Sequence, residues 1–333
     1  MTNFGGKLDE CVANDAEISA NPVICIAGPT ASGKSDLAVR LAVELGRAKC
    51  EIVSADSIQI YKGMDIGTGK ISAPEMQGVV HHGIDICTPG DQFSVANYQK
   101  FARNTIDSLR GAGKTAILCG GTGLYINATI DEYDFKAGNQ VDNPVRDRYN
   151  ALLEQIGNEA LWEMLRKQDP KSAALIHPNN ARRVVRAFEL LHTGTPYYLQ
   201  YENAEGRQSH YPVLYLCMNV DAEILASRIS DRVDAMFDAG LVAEVESLLN
   251  DGFRDAICAP QAIGYKEVVA ALDGETTMEF AREKIKTNSR RYAKRQRTWF
   301  RADDRIIWID ANSGNVEESL AQVLGYVSKE NQV

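Results

Sequence analysis

Two hydrophobic regimes follow one another along the chain. PVICIA at 22–27 is a continuous apolar run, GPTASGKS follows it, and the apolar positions of DLAVRLAVEL then recur at helical spacing. CEIVSAD is a second apolar run, ending at Asp56. Val95, Tyr98, Phe101, Ile106 and Leu109 mark a helix over 95–110, and TAILCGG is a short strand running into a glycine turn. Strand, glycine loop, helix, strand, helix, strand predicts an α/β fold: a P-loop NTPase-like parallel sheet flanked by helices.

From about 139 the period changes. NPVRDRYNALLEQIG, NEALWEMLRKQD and NNARRVVRAFELLHTG are helical stretches broken by Asp-Pro, His-Pro and Gly-Thr-Pro. YPVLYLCMNV at 211–220 returns to the sheet. The expected organisation is therefore a flexible tail at 1–20, a catalytic core at 21–138 and 211–333, and a helical insertion domain at 139–210. Beyond 220 the pattern predicts amphipathic helices in AEILASRISDRVDAMFDAG, LVAEVESLLNDG and 277–301, then a last strand, RIIWIDA, and a polar tail.

GPTASGKS fits G-x-x-x-x-G-K-[ST] between a strand and a helix. Gly28, Pro29, Thr30, Ala31, Ser32 and Gly33 bring successive N–H groups round a phosphate. Lys34 sets a cation on it, and the Ser35 hydroxyl suits Mg²⁺. GAGKT at 111–115 lacks the first glycine and lies between a helix and a strand, so it is a cap and turn. Asp56, at a strand's C-terminal end, faces the same crevice. Two roles stand open for it: holding Mg²⁺ through water, or taking a proton from a nucleophile. Thr122, in GGTGLY, ends another strand on that edge. The adjacent His81 and His82 point to opposite sides of a strand and are structural. Nothing resembles an adenine site, and DSIQIY does not supply a typical Walker B strand.

Charge refines this picture. The chain of 333 residues is −9 overall, yet residues 282–301 hold nine Lys or Arg and one acid. An acidic protein with one strongly basic helix holds nucleic acid locally or not at all. The seven cysteines form no CxxC pair, no stretch is apolar enough for a membrane span, and the first residues carry no signal-peptide pattern. A reduced, cytoplasmic protein without membrane contact is expected.

Together, GPTASGKS, ADSIQIYKGMDIGTGK, HHGIDI, FSVANYQ, GGTGLY, HPNNARRVVRAFEL, QAIGYKE and RRYAKRQRTWFR resemble the tRNA dimethylallyltransferase family, in family order from about 23 to 301. The resemblance implies dimethylallyl diphosphate in the P-loop, diphosphate as leaving group, and the exocyclic amine of the adenosine 3′ of the anticodon as nucleophile. It implies Asp56, Thr122 and Lys34 as catalytic residues and Mg²⁺ as cofactor at Ser35. Arg228 and Arg232 would close over the diphosphate. A tRNA anticodon arm would lie against Asp56, Ser57, Ile58, Gln59 and Thr122. In the insertion it would meet Arg182, Arg183 and Arg186; in QAIGYKE, Gln261, Gly264, Tyr265 and Lys266. On the basic helix it would meet Lys294, Arg295, Gln296, Arg297 and Arg301. The absence of a zinc finger after Arg301 points to the bacterial type, and the single RNA face to a monomer. An adenylate isopentenyltransferase acting on free AMP or ATP shares the P-loop and aspartate, and a non-catalytic RNA-binding module is the reading of a different class.

Overall fold

The computed structural model describes residues 22–133, 143–199 and 208–330, so the expected tail at 1–20 lies outside the described residues. The chain divides into two compact units, one of Met1–Ile130 with His210–Val333, the other Asp131–Ser209.

The first unit is built on a six-stranded, all-parallel sheet. Its strands are β1 (Val23–Ala27), β2 (Cys50–Ser54), β3 (His81–His82), β4 (Thr115–Gly120), β5 (Val213–Asn219) and β6 (Ile307–Asp310). They lie in the order β3-β2-β4-β1-β5-β6. Unbroken apolar runs form its centre because the central strands are buried on both faces. Along β1, Ile24 and Ile26 enter one core cluster, while Val23, Cys25 and Ala27 enter the other. β4 and β5 divide in the same way, with Ile117, Leu214 and Leu216 on one side and Leu118, Tyr215 and Cys217 on the other.

The helices of this unit are α1 (Lys34–Leu45), α2 (Val95–Gly111) and α3 (Gly123–Ile130), then, after the insertion, α7 (Ala222–Asp238), α8 (Leu241–Asn250), α9 (Tyr265–Leu272), α10 (Met278–Phe300) and α11 (Val316–Glu330). α2 starts where Ser94 Oγ accepts from Asn97 N (3.1 Å) and Asn97 Oδ1 accepts from Ser94 N (3.1 Å), a reciprocal cap. It ends at the GAGKT turn, with Gly113 at φ 71°. The C-terminal stretch expected as a polar tail is a correction: 316–330 form α11. Its Leu320, Val323 and Val327 recur every three to four residues and bury in the same cluster as Leu37 and Leu41 of α1. Among the described residues, no helix is long and apolar enough to cross a membrane.

The second unit is helical. α4 (Pro144–Gln168) is capped by Asn143, whose Oδ1 accepts from Val145 N and Arg146 N, with proline at the first turn. The two helices expected here join through a kink at Gly157 (φ 79°). α5 (Pro170–Ala174) and α6 (Ala181–His192) follow it among the described residues. Its core contains Leu161, Leu165, Val184 and Leu190, with the rings of Tyr149 and Phe188 stacked at 4.0 Å. Its edge is a bridge between Asp131 and Ser209, which is why the unit opens earlier in the chain than the helical spacing suggests.

Candidate active site

In a parallel sheet every strand delivers its following loop to the same edge, and three such loops meet here. The loop after β1 is the phosphate loop. Ala31 (φ 62°) and Gly33 (φ 85°) both take left-handed backbone. This is free for glycine, but for alanine it costs about 1–2 kcal/mol. Gly33 is then the N-cap of α1, so the positive end of that helix opens into the loop. Lys34 Nζ folds back to donate to Pro29 O at 3.3 Å. Burial pushes its ammonium below the ordinary lysine value; neighbouring Asp56 acts the other way and Arg232 reinforces the shift.

Arg232 comes from α7. Its Nη2 donates to Thr68 O at 2.9 Å, and burial lowers its pKa against the pull of Asp56 and Glu75. Two partly dehydrated cations and one carboxylate thus act on one another across the loop mouth, a net positive site suited to an anion. Arg228, one turn earlier, is differently engaged. It lines a cavity of about 180 Å³ with Ala31, Ser32, Gly33, Met218 and Asn315. Its Nη2 donates to Ala311 O (3.0 Å) and Asn312 O (2.9 Å), which turns it toward the loop before α11.

The loop after β2 begins with Asp56. Its Oδ1 accepts from Ile58 N (2.9 Å) and Gln59 N (3.3 Å), capping the turn 57–60. Its Oδ2 makes no hydrogen bond among the described residues. One oxygen fixes the side chain and the other is left to accept a proton. Gln59 Nε2 lies 3.4 Å from Thr68 O and 3.3 Å from Gly69 O, which ties this turn to the loop that holds Arg232.

The loop after β4 is GGTG. A Cβ at Gly120 would fall 2.2 Å from Ala55 O, one at Gly121 2.3 Å from Gln296 Nε2, and one at Gly123 2.2 Å from the Trp299 ring. The glycines are there so that this turn can press against the end of β2 and against α10. Thr122 Oγ1 accepts from Ser57 N (3.1 Å) and lies 3.3 Å from Ser57 Oγ, joining the β4 turn to the Asp56 turn. Below them, Cys119 Sγ donates to Lys34 O at 3.6 Å; burial pushes its thiol up to about 11.

Sequence reasoning missed Tyr292 of α10. Its hydroxyl lies beside Thr122 and Gln296; burial and the charge of Asp56 push it up to about 12, so it stays protonated at neutral pH. Its signal was its place one turn before Gln296 on the helix stripe that turns inward. Glu244 of α8 was also missed. Its carboxylate accepts from Asp65 N (3.0 Å), Ile66 N (2.7 Å) and Gly67 N (3.1 Å), and from the Tyr265 hydroxyl (2.6 Å), so it pins the GMDIGTGK loop.

The residues expected to meet RNA divide by exposure. Lys294 and Arg295 on α10, Arg301 at its C-cap, Gln261 and Lys266, and Arg182 and Arg183 on α6 are exposed, and Arg297 is half-buried. Gln296 is buried, with Oε1 accepting from Thr30 N (2.9 Å) and Nε2 donating to Gly121 O (2.9 Å). Tyr265 is fully buried on Glu244, and Gly264 is the buried N-cap of α9. Arg186 is held by the buried carboxylate of Glu189 at 2.7 Å, which Arg146 grips as well. His81 and His82 prove to be structural partners: His81 Nδ1 lies 2.9 Å from Val79 O, and His82 Nε2 2.6 Å from Glu51.

A family model described as IPP transferase matches residues 59–303. The chain is 45% identical over 290 residues to the tRNA dimethylallyltransferase of Bacillus subtilis, covering 87% of this chain and 90% of that protein. It is 46% identical over 293 residues to that of Geobacillus thermodenitrificans, covering 86% and 90%. Among solved structures, the full-length tRNA isopentenylpyrophosphate transferase of Bacillus halodurans is 40% identical, with a TM-score of 0.69 over 94% of this chain and 97% of that one. A eukaryotic dimethylallyltransferase acting on tRNA is 27% identical, with a TM-score of 0.76 over 93% and 79%.

Proposed function

This chain belongs to the IPP transferase family, and we propose that it is a tRNA dimethylallyltransferase. The reaction moves the dimethylallyl group of dimethylallyl diphosphate onto the exocyclic amine of the adenosine 3′ of the anticodon and releases diphosphate. The observation that carries this reading is the Asp56 carboxylate: one oxygen is locked by backbone donors and the other is free, beside the P-loop lysine on which its charge acts.

In the transfer, the allylic C–O bond breaks, its electron pair leaves with the diphosphate, and the amine nitrogen forms the new C–N bond. Negative charge grows on the departing oxygens. Lys34, Arg232 and the N–H groups at the start of α1 face that charge and stabilise it more in the transition state than in the ground state. Ser32 Oγ is buried with no partner among the described residues, a hydroxyl available to a diphosphate oxygen. The amine must lose a proton as its bond forms, and Asp56 Oδ2 takes it. Thr122 holds the turn around that carboxylate through Ser57. Adenine in a stacked loop cannot reach this crevice, so the base is flipped out past Ser57, Ile58 and Gln59.

Mg²⁺ fits the donors present. Ser35 offers one hydroxyl, and no group of three or more His, Cys, Asp or Glu suited to a metal occurs among the described residues. This is the sparse protein coordination of a cation held chiefly by substrate phosphates and water. When bound, it would screen charge on the diphosphate.

On the RNA side, Lys294, Arg295, Arg297 and Arg301 form a basic helix face in one unit, and Arg182 and Arg183 an exposed basic pair in the other. Each face suits the phosphates of an anticodon arm. A single RNA-binding protomer is the expected working unit. The test is Asp56→Asn, which keeps Oδ1 as turn cap and removes the base. We expect kcat on an anticodon stem-loop to fall at least about 10²-fold with RNA affinity retained. Wild-type kcat in this variant would remove Asp56 from the role of base.

A further inference from the structure

The geometry points to Gln296 as a positioning residue that locks the phosphate loop to the turn carrying Thr122, a task distinct from RNA contact. Its amide uses both ends inside the protein. Oε1 accepts from Thr30 N (2.9 Å) and Nε2 donates to Gly121 O (2.9 Å), and the side chain is 5% exposed. A primary amide is suited to this task because it offers a donor and an acceptor side by side. It meets an N–H on the loop after β1 and a carbonyl on the loop after β4, two loops that no main-chain ladder joins at that point. Gly121 has no room for a Cβ because Gln296 fills the space.

The placement of the residue gives the lock a consequence. Gln296 sits on the inward stripe of α10 with Ala281, Ile285, Ala293 and Phe300, while the same helix turns Lys294 and Arg295 outward. One turn earlier, Tyr292 lies beside both Thr122 and Gln296. One rigid helix thus carries cations on its outer side and, on its inner side, the amide that sets the spacing between the diphosphate loop and the Asp56–Thr122 pair. Reacting groups must be aligned within a fraction of an ångström, so this spacing governs diphosphate binding and the chemical step.

This inference rests on the transferase reading for its catalytic part, so its test includes a measurement independent of turnover. Inorganic diphosphate is titrated against wild type, Gln296→Ala and Gln296→Glu, and stem-loop RNA affinity is measured in parallel. Gln296→Ala leaves the Gly121 carbonyl buried without a donor. Its diphosphate Kd should rise roughly tenfold, about one hydrogen bond's worth, while its RNA Kd stays near wild type.

Gln296→Glu is the control for folding. Its carboxylate still accepts from Thr30 N but faces the Gly121 carbonyl with a second acceptor. Protonated, it regains the donor and copies the amide. The ratio of variant to wild-type diphosphate affinity should therefore be low at pH 8 and recover toward one as the pH falls to about 5.5, because a buried carboxyl protonates above its usual range. The groups around this position are Tyr292 and Arg295 on the same helix, Asp56 after β2 and Lys34 in the phosphate loop. Their own titrations are common to both proteins and cancel in the ratio. Wild-type diphosphate binding in Gln296→Ala, with RNA affinity lost instead, would make the residue an RNA contact and overturn the proposal, as would a flat ratio in Gln296→Glu. Should wild type fail to prenylate RNA while the diphosphate profile behaves as described, the transferase reading falls and the lock stands.

Discussion

Replacing Glu244 by alanine tests how the site is held from behind. Its carboxylate accepts from three successive backbone N–H groups and from the Tyr265 hydroxyl. Hydrogen bonds to a charged acceptor contribute about 1.5–3 kcal/mol each when shielded. The Asp65 N–H is exposed, and water takes over that bond in the variant. The Ile66 and Gly67 N–H groups are partly buried, and the Tyr265 ring is packed at 0% exposure. Counting those three at the low end, with partial rehydration, gives a loss of about 3 kcal/mol. At a urea slope of about 3 kcal/mol/M this moves the unfolding midpoint down by roughly 1 M.

The effect reaches the site because the pinned loop presents Thr68 O to Arg232, and a Cβ on the neighbouring Gly69 would fall 1.9 Å from the Arg232 guanidinium. KM for dimethylallyl diphosphate should therefore rise as well. Urea denaturation and steady-state kinetics on the same preparation measure both. A stability loss below about 1 kcal/mol with unchanged KM would refute the reasoning, since the loop would then be held by something other than this carboxylate.

Glu51 sets an acid limit on stability. Burial raises its pKa, but hydrogen bonds from Lys114 and His82 outweigh that and leave it below the ordinary carboxylate value of 4.5. Its contribution is therefore complete above that value and lost as the pH falls through the lower folded one. Glu51→Gln should flatten the acid limb of a Tm–pH curve, and an unchanged limb would contradict this. On α6, Arg182→Ala with Arg183→Ala should weaken RNA binding, lower its salt slope by up to about 2 and spare the Tm. Arg186→Ala should instead lower the Tm, because Glu189 keeps only Arg146. Equal behaviour of the two variants would merge the faces that the structure separates.

What could be read from the sequence was what is local. The P-loop is eight consecutive residues with a strand before and a helix after, so its geometry follows from the chain itself. Asp56 and Thr122 follow from the rule that parallel strands deliver their C-terminal loops to one edge. Helix phase was harder to read. In RRYAKRQRTWFR charge dominates, so Gln296 was grouped with its cationic neighbours, although it lies on the stripe of Ala281, Ile285, Ala293 and Phe300 that the core takes in. Tyr265 and Arg186 join the expected RNA contacts through the family resemblance alone, and their partners Glu244 and Glu189 become visible only when helices pack. The Glu244 nest joins residues far apart in sequence, and no spacing rule announces it. α11 was readable from Leu320, Val323 and Val327, but the polar residues between them obscured the stripe.

The central claim is tested most directly by mass spectrometry of an unmodified anticodon stem-loop RNA incubated with the protein, Mg²⁺ and dimethylallyl diphosphate, with AMP and ATP as parallel acceptors. The account predicts the mass gain of one dimethylallyl group on the adenosine 3′ of the anticodon and none on the free nucleotides. A gain on AMP or ATP alone, or no gain on any acceptor, would contradict it.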